Sequence, residues 1–264
     1  MRHFIAILLL ISSSFAAEKT ETESSFDAGA DWLEFYYRNP TPQNFVPQMK
    51  AWAADGTLQN HEAHPALIGF TAQLMRQNRD KIVKWATDLN GLDPKDLVVF
   101  NTALVFSRTG EADQLIKMSL GDKYNDFERP PKILEIPLNE PPAMNMLWGY
   151  FYATGSENAL RKIIQGFRYE DAPLAPDGVE IPEGYKPYYT ELPQLAFDSL
   201  YQNLQKHPLV LETCENFYAN DKSLLAMEKR NLYDLLALIK PKEYPPRKVT
   251  KSDSEKDLKP APVR

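Results

Sequence analysis

The chain has 264 residues, of which 43% are hydrophobic and 25% charged, and its formal net charge is −6. Once a short leader and a polar tail are set aside, roughly 190 to 220 residues remain, enough for one sizeable core in one or two fused domains. Lysine and arginine are scattered and form no basic stripe, which disfavours binding to nucleic acid or to an anionic membrane surface.

The first residues have the pattern of a secretory signal. A basic start precedes an apolar run over residues 4–11, which is too short to span a bilayer. Ser14 and Ala16 fit the small-residue positions of a cleavage site, so we expect a signal peptide over residues 1–16 and an exported protein, periplasmic or secreted. An uncleaved anchor is the alternative, which the short run disfavours. No cysteine follows the signal, which disfavours a lipid anchor.

Cys214 is the only cysteine, so no internal disulfide can form. A small, buried apolar role is favoured for it over a nucleophilic one, because the sequence suggests no histidine partner.

Helix start and stop signals recur over residues 26–240, with apolar residues spaced by three and four. They predict an all-α domain in which Pro47 lies in a first helical turn, Gly91 closes a helix in the left-handed conformation and Pro241 ends the last helix. The predicted helices lie at 32–37, 46–52, 64–74, 82–89, 94–105 and 224–239.

Two polar segments are predicted to be disordered. Residues 241–264 carry five prolines among many charges and little apolar content, so burial cannot offset the entropy lost on ordering. The same argument applies to residues 18–25.

The strongest internal signal is a repeat, because residues 106–142 align with residues 151–187 without a gap. We interpret it as a tandem duplication of about 96–140 and 141–187, each copy comprising an aromatic helix, a Thr-Gly turn, a short helix and a proline-rich loop with Glu-Ile-Pro. The positions identical in the first copy are Phe106, Thr109, Gly110, Leu115, Lys117, Gly121, Tyr124, Asp126, Pro131, Glu135, Ile136, Pro137 and Pro142.

The segments 106–110 and 151–155 resemble the turn between the two helices of tetratricopeptide-type α-repeats. The resemblance covers several short stretches, and the period of this repeat is longer than that of the family. It implies an α-solenoid, a right-handed superhelix of five or six stacked helical hairpins, that binds proteins or peptides. It brings no catalytic residues.

The two proline-rich loops are the candidate partner-binding features, since long loops in compact helical proteins are often functional. A packing role, in which the loops cover helix ends and Asp126 and Asp171 accept from backbone amides, is favoured over binding. In the loop cluster at 185–189, exposed tyrosines could bind a peptide or a sugar, and a packing role is at least as well supported. The candidate binding residues are Tyr124, Asp126, Glu135, Tyr169, Asp171, Glu180, Tyr185, Tyr188 and Tyr189.

Other motifs point to no chemistry. His61 and His64 flank a carboxylate, but their spacing is not that of the helical metalloprotease motif and no third ligand is identifiable, so no metal site is predicted. His207, before Pro208, is interpreted as a helix-end residue. Phosphate-binding glycine loops and nucleophile elbows are absent from the sequence, which predicts no catalytic residue and no cofactor.

The sequence therefore predicts an exported protein- or peptide-binding scaffold. A hydrolase acting on cell-envelope material is the alternative. Converging carboxylates or histidines in a concave pocket would favour the hydrolase, whereas an open groove lined by scattered polar and aromatic groups would favour binding.

Overall fold

The computed structural model describes residues 32–173, 178–179, 182 and 184–247. The predicted signal peptide and the segment 18–25 lie outside these residues. The prediction of an all-α fold is confirmed: within the described ranges the chain forms α-helices, short 3-10 helices and turns, with no β-strand.

Residues 32–34 are helical and precede a 3-10 helix at Tyr36–Arg38. The α-helices that follow are α1 (Phe45–Ala54), α2 (His64–Gln77), α3 (Ile82–Leu89), α4 (Val98–Ser107), α5 (Gly110–Leu120), α6 (Pro141–Thr154), α7 (Glu157–Ile164), α8 (Leu192–Lys206), α9 (Pro208–Asn220) and α10 (Ala226–Ile239).

Proline marks the beginning of four of these helices. Pro65, Pro141, Pro193 and Pro208 lie at the first or second position of α2, α6, α8 and α9. An amide hydrogen there has no partner within the helix, so proline costs nothing and its fixed φ favours the helical turn. Pro47 lies in the first turn of α1, as predicted.

The closest helix pair is α2 with α6, and two glycines allow it. A Cβ on Gly149 would overlap the carbonyl oxygen of Ala66 and lie 2.8 Å from the amide nitrogen of Phe70. A Cβ on Gly69 would overlap the carbonyl oxygen of Met146. Since both obstacles are backbone atoms, only glycine permits this approach at either position.

An inner row of helices is built around this pair. Helix α4 packs on the other side of α2, and α8 continues the row beyond α6. The helices run in the same direction, because α2, α6 and α8 begin around one groove while Arg76, near the end of α2, reaches Ser107 at the end of α4. The helices α5, α7 and α9 return antiparallel, each packed on the inner helix before it.

The two hairpins of the sequence repeat, α4–α5 and α6–α7, make their main contacts with α2 rather than with each other. The turns of the two hairpins also correspond in the structure at an offset that differs from that of the gapless sequence alignment. Arg108 and Gly155 are the left-handed residues after α4 and α6, and Thr109 and Ser156 precede the next helices. The structural correspondence is therefore shifted by two residues from the sequence identities.

Several predicted helix ends differ from the structure, and the helix predicted from residue 94 begins only at Val98, after a turn. Gly91 does not have a positive φ: α3 ends at Leu89 as predicted, but the chain leaves it through a right-handed turn at Asn90, in which the Leu92 amide donates to the Leu89 carbonyl at 3.0 Å. Leu224 and Leu225 precede α10, since Asp221 caps a turn through the amide of Ser223 at 2.8 Å rather than the helix itself.

The first part of the predicted tail, residues 241–247, packs against α9 and α10. The ring of Tyr244 lies 5.9 Å from that of Tyr218 and 6.0 Å from that of Tyr233, whose hydroxyl donates to the Pro245 carbonyl at 2.6 Å. Arg247 donates through Nε to Asp234 at 2.8 Å. The packed body thus extends to Arg247, and residues 248–264 lie outside the described part of the chain.

We predict that Gly149→Ala lowers the free energy of unfolding by about 1–3 kcal/mol or more, because the added methyl meets a backbone carbonyl that cannot yield. Gly91→Ala is the matched control: nothing lies within 4 Å of the Cβ position, so the expected change is below about 1 kcal/mol. Urea denaturation of both variants measures the difference. Equal midpoints would contradict the close approach of α2 and α6.

A second prediction concerns the docked segment. A chain ending at Lys240 should be less stable than one ending at Arg247 by about 1–2 kcal/mol, because it loses the aromatic contacts of Tyr244 and the Arg247–Asp234 ion pair. Thermal unfolding of the two truncated chains tests this. Identical melting temperatures would show that residues 241–247 add no stability.

Candidate functional site

An open groove of about 620 Å³ lies where α2, α6 and α8 begin. The three helices are far apart in sequence, and each contributes residues at or just before its first turn. The groove is lined by His61, Glu62, Pro65, Pro141, Pro142, Asn145, Thr190, Glu191, Gln194, Leu195 and Asp198.

The lining of the groove is largely apolar, and its three carboxylates, Glu62, Glu191 and Asp198, are referred to as the acidic edge. Pro65, Pro141, Pro142 and Leu195 provide hydrocarbon surface, whereas the charged side chains of the lining are carboxylates, and none is a lysine or an arginine. Asp198 accepts a hydrogen bond from Gln194 at 2.8 Å. An apolar cleft with a few polar groups is the usual form of a ligand site.

The carboxylates are not used to cap the helices beside them. Glu191 directly precedes α8, and its side chain makes no capping hydrogen bond to that helix. Glu62 lies before α2, whose first turn is likewise uncapped by a side chain. Both groups are therefore available to charges that enter the groove.

Of the two histidines of the groove segment, His64 has a structural contact: its Nε2 lies 2.9 Å from the Leu58 carbonyl. The ring of His61 packs edge-on against that of His64 at 4.9 Å. In the described part of the chain, His61 makes no hydrogen bond to a carboxylate, and no three His, Cys, Asp or Glu side chains are grouped to hold a metal ion.

The segment entering the groove carries two predicted binding residues. Tyr185 and Tyr188 are 59% and 68% exposed, and the 3-10 helix Tyr188–Glu191 leads directly into the lining. Tyr189 instead stacks on Tyr169 at 5.4 Å between centroids. Tyr185 and Tyr188 therefore precede the lining segment in sequence without being lining residues, whereas Tyr169 and Tyr189 form a packing contact.

The first proline-rich loop packs onto the helices. Tyr124 is half-buried and donates to Asp113 at 2.6 Å, Ile133 and Leu138 are buried, and Lys162 of α7 donates to the Leu134 carbonyl at 2.6 Å. These contacts agree with the favoured packing role of the loop.

The predicted acidic residues of the loops have no part in the groove. Asp126, Glu135 and Asp171 are exposed, and Glu135 pairs with Lys132 at 2.7 Å. Among the described residues, Asp126 and Asp171 accept no hydrogen bond from a backbone amide, contrary to the expectation from the sequence. Glu180 lies outside the described residues.

Apart from His61 and Glu62, the sequence analysis did not identify the residues of the groove as candidate site residues. Pro65, Pro141 and Pro142 were recognisable as helix starters or loop prolines, but nothing in the sequence indicates that the three helices begin side by side. That arrangement depends on the glycines at the crossing of α2 and α6.

A second polar cluster is buried between α8 and α9. His207 is fully buried; its Nε2 lies 3.3 Å from Glu34 Oε1 and its Nδ1 lies 3.1 Å from the Tyr37 hydroxyl. Because a carboxylate only accepts, Nε2 donates to Glu34, and in the neutral imidazole Nδ1 accepts from the Tyr37 hydroxyl. Lys206 also pairs with Glu34, at 3.0 Å. His207 is thus a helix-end residue, as predicted, and also the centre of an interior network.

The contacts of this buried network change the pKa of Glu34. Burial raises the pKa of Glu34, but the hydrogen bond from His207 and the charge and hydrogen bond of Lys206 lower it by more, so the pKa lies below its ordinary value of 4.5. The network thus pairs the buried carboxylate of Glu34 and stabilises its charged form within the fold.

Cys214 is also fully buried, and burial raises the pKa of its thiol to about 12. A thiol in that state carries little thiolate and is a poor nucleophile. The geometry agrees with the small apolar role expected from the sequence.

No described helix combines the length and the apolar character needed to cross a membrane. Comparison with known proteins matches the chain to no family model, to no curated protein and to no solved structure. Fold and site together define an all-α protein with an open, acidic-edged groove where parallel helices begin.

We predict that Glu34→Gln lowers stability at neutral pH by about 1–3 kcal/mol, because the charged acceptor of His207 and Lys206 is lost. A carboxylate with a lowered folded pKa stabilises the fold above its unfolded pKa, and this stability disappears as the pH falls through the folded value. The difference from wild type should therefore shrink as the pH falls below about 4.5. Urea midpoints between pH 7 and pH 3 measure it.

The exposed Glu128→Gln is the control for this experiment and should follow wild type at every pH. A constant gap between Glu34→Gln and wild type across the range would show that Glu34 gains nothing from ionisation in the folded protein.

Proposed function

We propose that the protein is an exported binding scaffold that holds an extended, positively charged peptide in the groove between α2, α6 and α8. The observation that carries the proposal is the lining itself: apolar surface from prolines and a leucine, three carboxylates, and no lysine or arginine. Export rests on the signal-like first residues of the sequence.

Charge complementarity identifies the kind of peptide. Glu62, Glu191 and Asp198 would face lysine or arginine side chains of a bound segment, and the net charge of −6 adds a long-range attraction for basic ligands. Pro65, Pro141, Pro142 and Leu195 would contact its apolar side chains. The exposed rings of Tyr185 and Tyr188 supply amphipathic surface of the kind that is enriched in binding sites.

The helical hairpins support the proposal. Helices α4–α5, α6–α7 and α8–α9 are antiparallel pairs joined by short turns, as in stacked hairpin repeats, and such proteins bind partners on surfaces formed by successive repeats. Here α2 stands between the hairpins α4–α5 and α6–α7, so the proposed scaffold departs from a simple sequential stack.

The alternative of an envelope hydrolase requires a general acid or base held in place. His61, Glu62, Glu191 and Asp198 lie in one groove, but no hydrogen bond orients His61 toward a carboxylate in the described residues. Binding therefore explains the arrangement with fewer requirements than catalysis.

The test is selection of a displayed library of random twelve-residue peptides on the folded full chain, followed by fluorescence anisotropy with the peptide enriched most strongly. We expect enriched peptides to combine lysine or arginine with leucine, proline or aromatic residues. Neutralising the edge with Glu62→Gln and Asp198→Asn should weaken binding about threefold to tenfold, since each exposed ion pair contributes about 0.2–1 kcal/mol.

The matched control neutralises two exposed carboxylates away from the groove, with Asp122→Asn and Glu212→Gln, and should leave the affinity unchanged. Failure to enrich basic peptides, or equal affinities for the two double variants, would overturn the proposal.

A further inference from the structure

A second, smaller pocket lies at the opposite end of α2. Its volume is about 260 Å³, and it is lined by Arg76, Arg79, Ser107, Arg108, Thr109 and Gly110. The groove contacts the first turn of α2 whereas this pocket contacts the last, so helical geometry separates the two by roughly 20 Å.

Positive charge is concentrated in this pocket beyond what neighbouring residues neutralise. Arg79 donates to both oxygens of Glu111, at 3.0 and 3.2 Å. Arg76 makes a single bond, 3.4 Å long, from Nη1 to the Ser107 carbonyl. Arg108 donates to the Pro130 carbonyl. Within the described ranges Glu111 is the one carboxylate that forms an ion pair with any of these arginines.

The backbone of Arg108 has a conformation that usually favours glycine. Arg108 is in the left-handed conformation, with φ 52°, and no other described non-glycine residue has a positive φ. The corresponding position after α6 is Gly155, with φ 64°. Glycine is the favoured residue for this conformation, so an arginine there is kept at a cost of about 1 kcal/mol.

Among the side chains that line the pocket, the arginines are the ones left to bind a ligand. Thr109 accepts from the amide of Ala112, at 3.2 Å, and Ser107 donates to the Leu104 carbonyl at 2.8 Å, so neither hydroxyl needs a ligand. At Gly110 the nearest atom to a Cβ position would be Nη2 of Arg79, at 3.8 Å. The guanidinium groups are thus the part of the lining that remains to interact with a ligand.

We propose that this pocket binds a phosphate group, free or as a monoester. Guanidinium groups bind phosphate oxygens through paired hydrogen bonds, and a doubly charged anion balances the excess left after Glu111 neutralises one arginine. This site does not depend on the proposed peptide groove, with which it shares no lining residue.

The experiment uses two-dimensional amide NMR of the isotope-labelled full chain at constant ionic strength. One arm titrates inorganic phosphate and the other phosphoserine, with chloride as the reference. We expect saturable shifts at the amides of Gly110 and Glu111 in at least one arm. A free phosphate site responds to the first probe alone or more strongly, and a monoester site favours phosphoserine.

Arg76→Gln retains a donor for the Ser107 carbonyl but removes the charge, and should weaken binding about tenfold or more. Arg230→Gln, on α10 and paired with Glu170, is the matched control and should bind as wild type. If the spectrum of Arg76→Gln shows that it does not fold, Arg76→Lys takes its place, because it keeps the charge and loses the paired bonds. Shifts that stay linear up to 50 mM, or equal affinities of the Arg76 variant and wild type, would overturn the site.

Discussion

The contact on which the rest of the structure depends is the crossing of α2 and α6. At Gly69 and Gly149 each helix meets the backbone of the other, at a separation that no side chain permits. Packing at that distance aligns the two helices and leaves α4 and α8 to extend the row on either side. Because the helices run in the same direction, their first turns meet at one end, and this produces the groove between α2, α6 and α8.

Beside α8, the structure is held by a buried polar network and not by close packing of backbones. Glu34, near the start of the described chain, is buried against His207 at the junction of α8 and α9. An unpaired carboxylate there would be costly, so His207, Lys206 and Tyr37 together make its burial possible. Nonpolar packing sets the helix spacing, whereas this network determines which distant segments of the chain meet.

Local features of the fold were predictable and long-range ones were not. Pro65 and Pro47 indicated helix starts correctly because proline acts within one turn. Gly91 was misassigned because α3, which ends at Leu89 as predicted, is followed by a right-handed turn at Asn90 and not by a left-handed glycine. The repeat suggested that its two copies stack directly, but α2 lies between them, since Gly69 faces Met146 and the sequence cannot show which helix fills that space. The groove was missed for the same reason, although the predicted residues Tyr185 and Tyr188 lie just before its lining segment in sequence.

The distribution of charge follows from the same parallel arrangement. Aligned helix dipoles add, which makes the end where α2, α6 and α8 begin electropositive and the end where α2 and α4 finish electronegative. Carboxylates such as Glu191 at the first end and arginines such as Arg76 at the second offset those fields. The helix dipoles explain why carboxylates lie at one end and arginines at the other. They do not explain why three arginines line one pocket. Of the three arginines in the pocket, Arg108 is the least explained by the dipole, because stabilising the end of a helix does not require a strained residue where glycine would serve. The hydrogen bond from Arg108 to the Pro130 carbonyl gives that side chain a structural use, so what favours a ligand in the arginine pocket is Arg76, whose guanidinium makes a single bond to the Ser107 carbonyl.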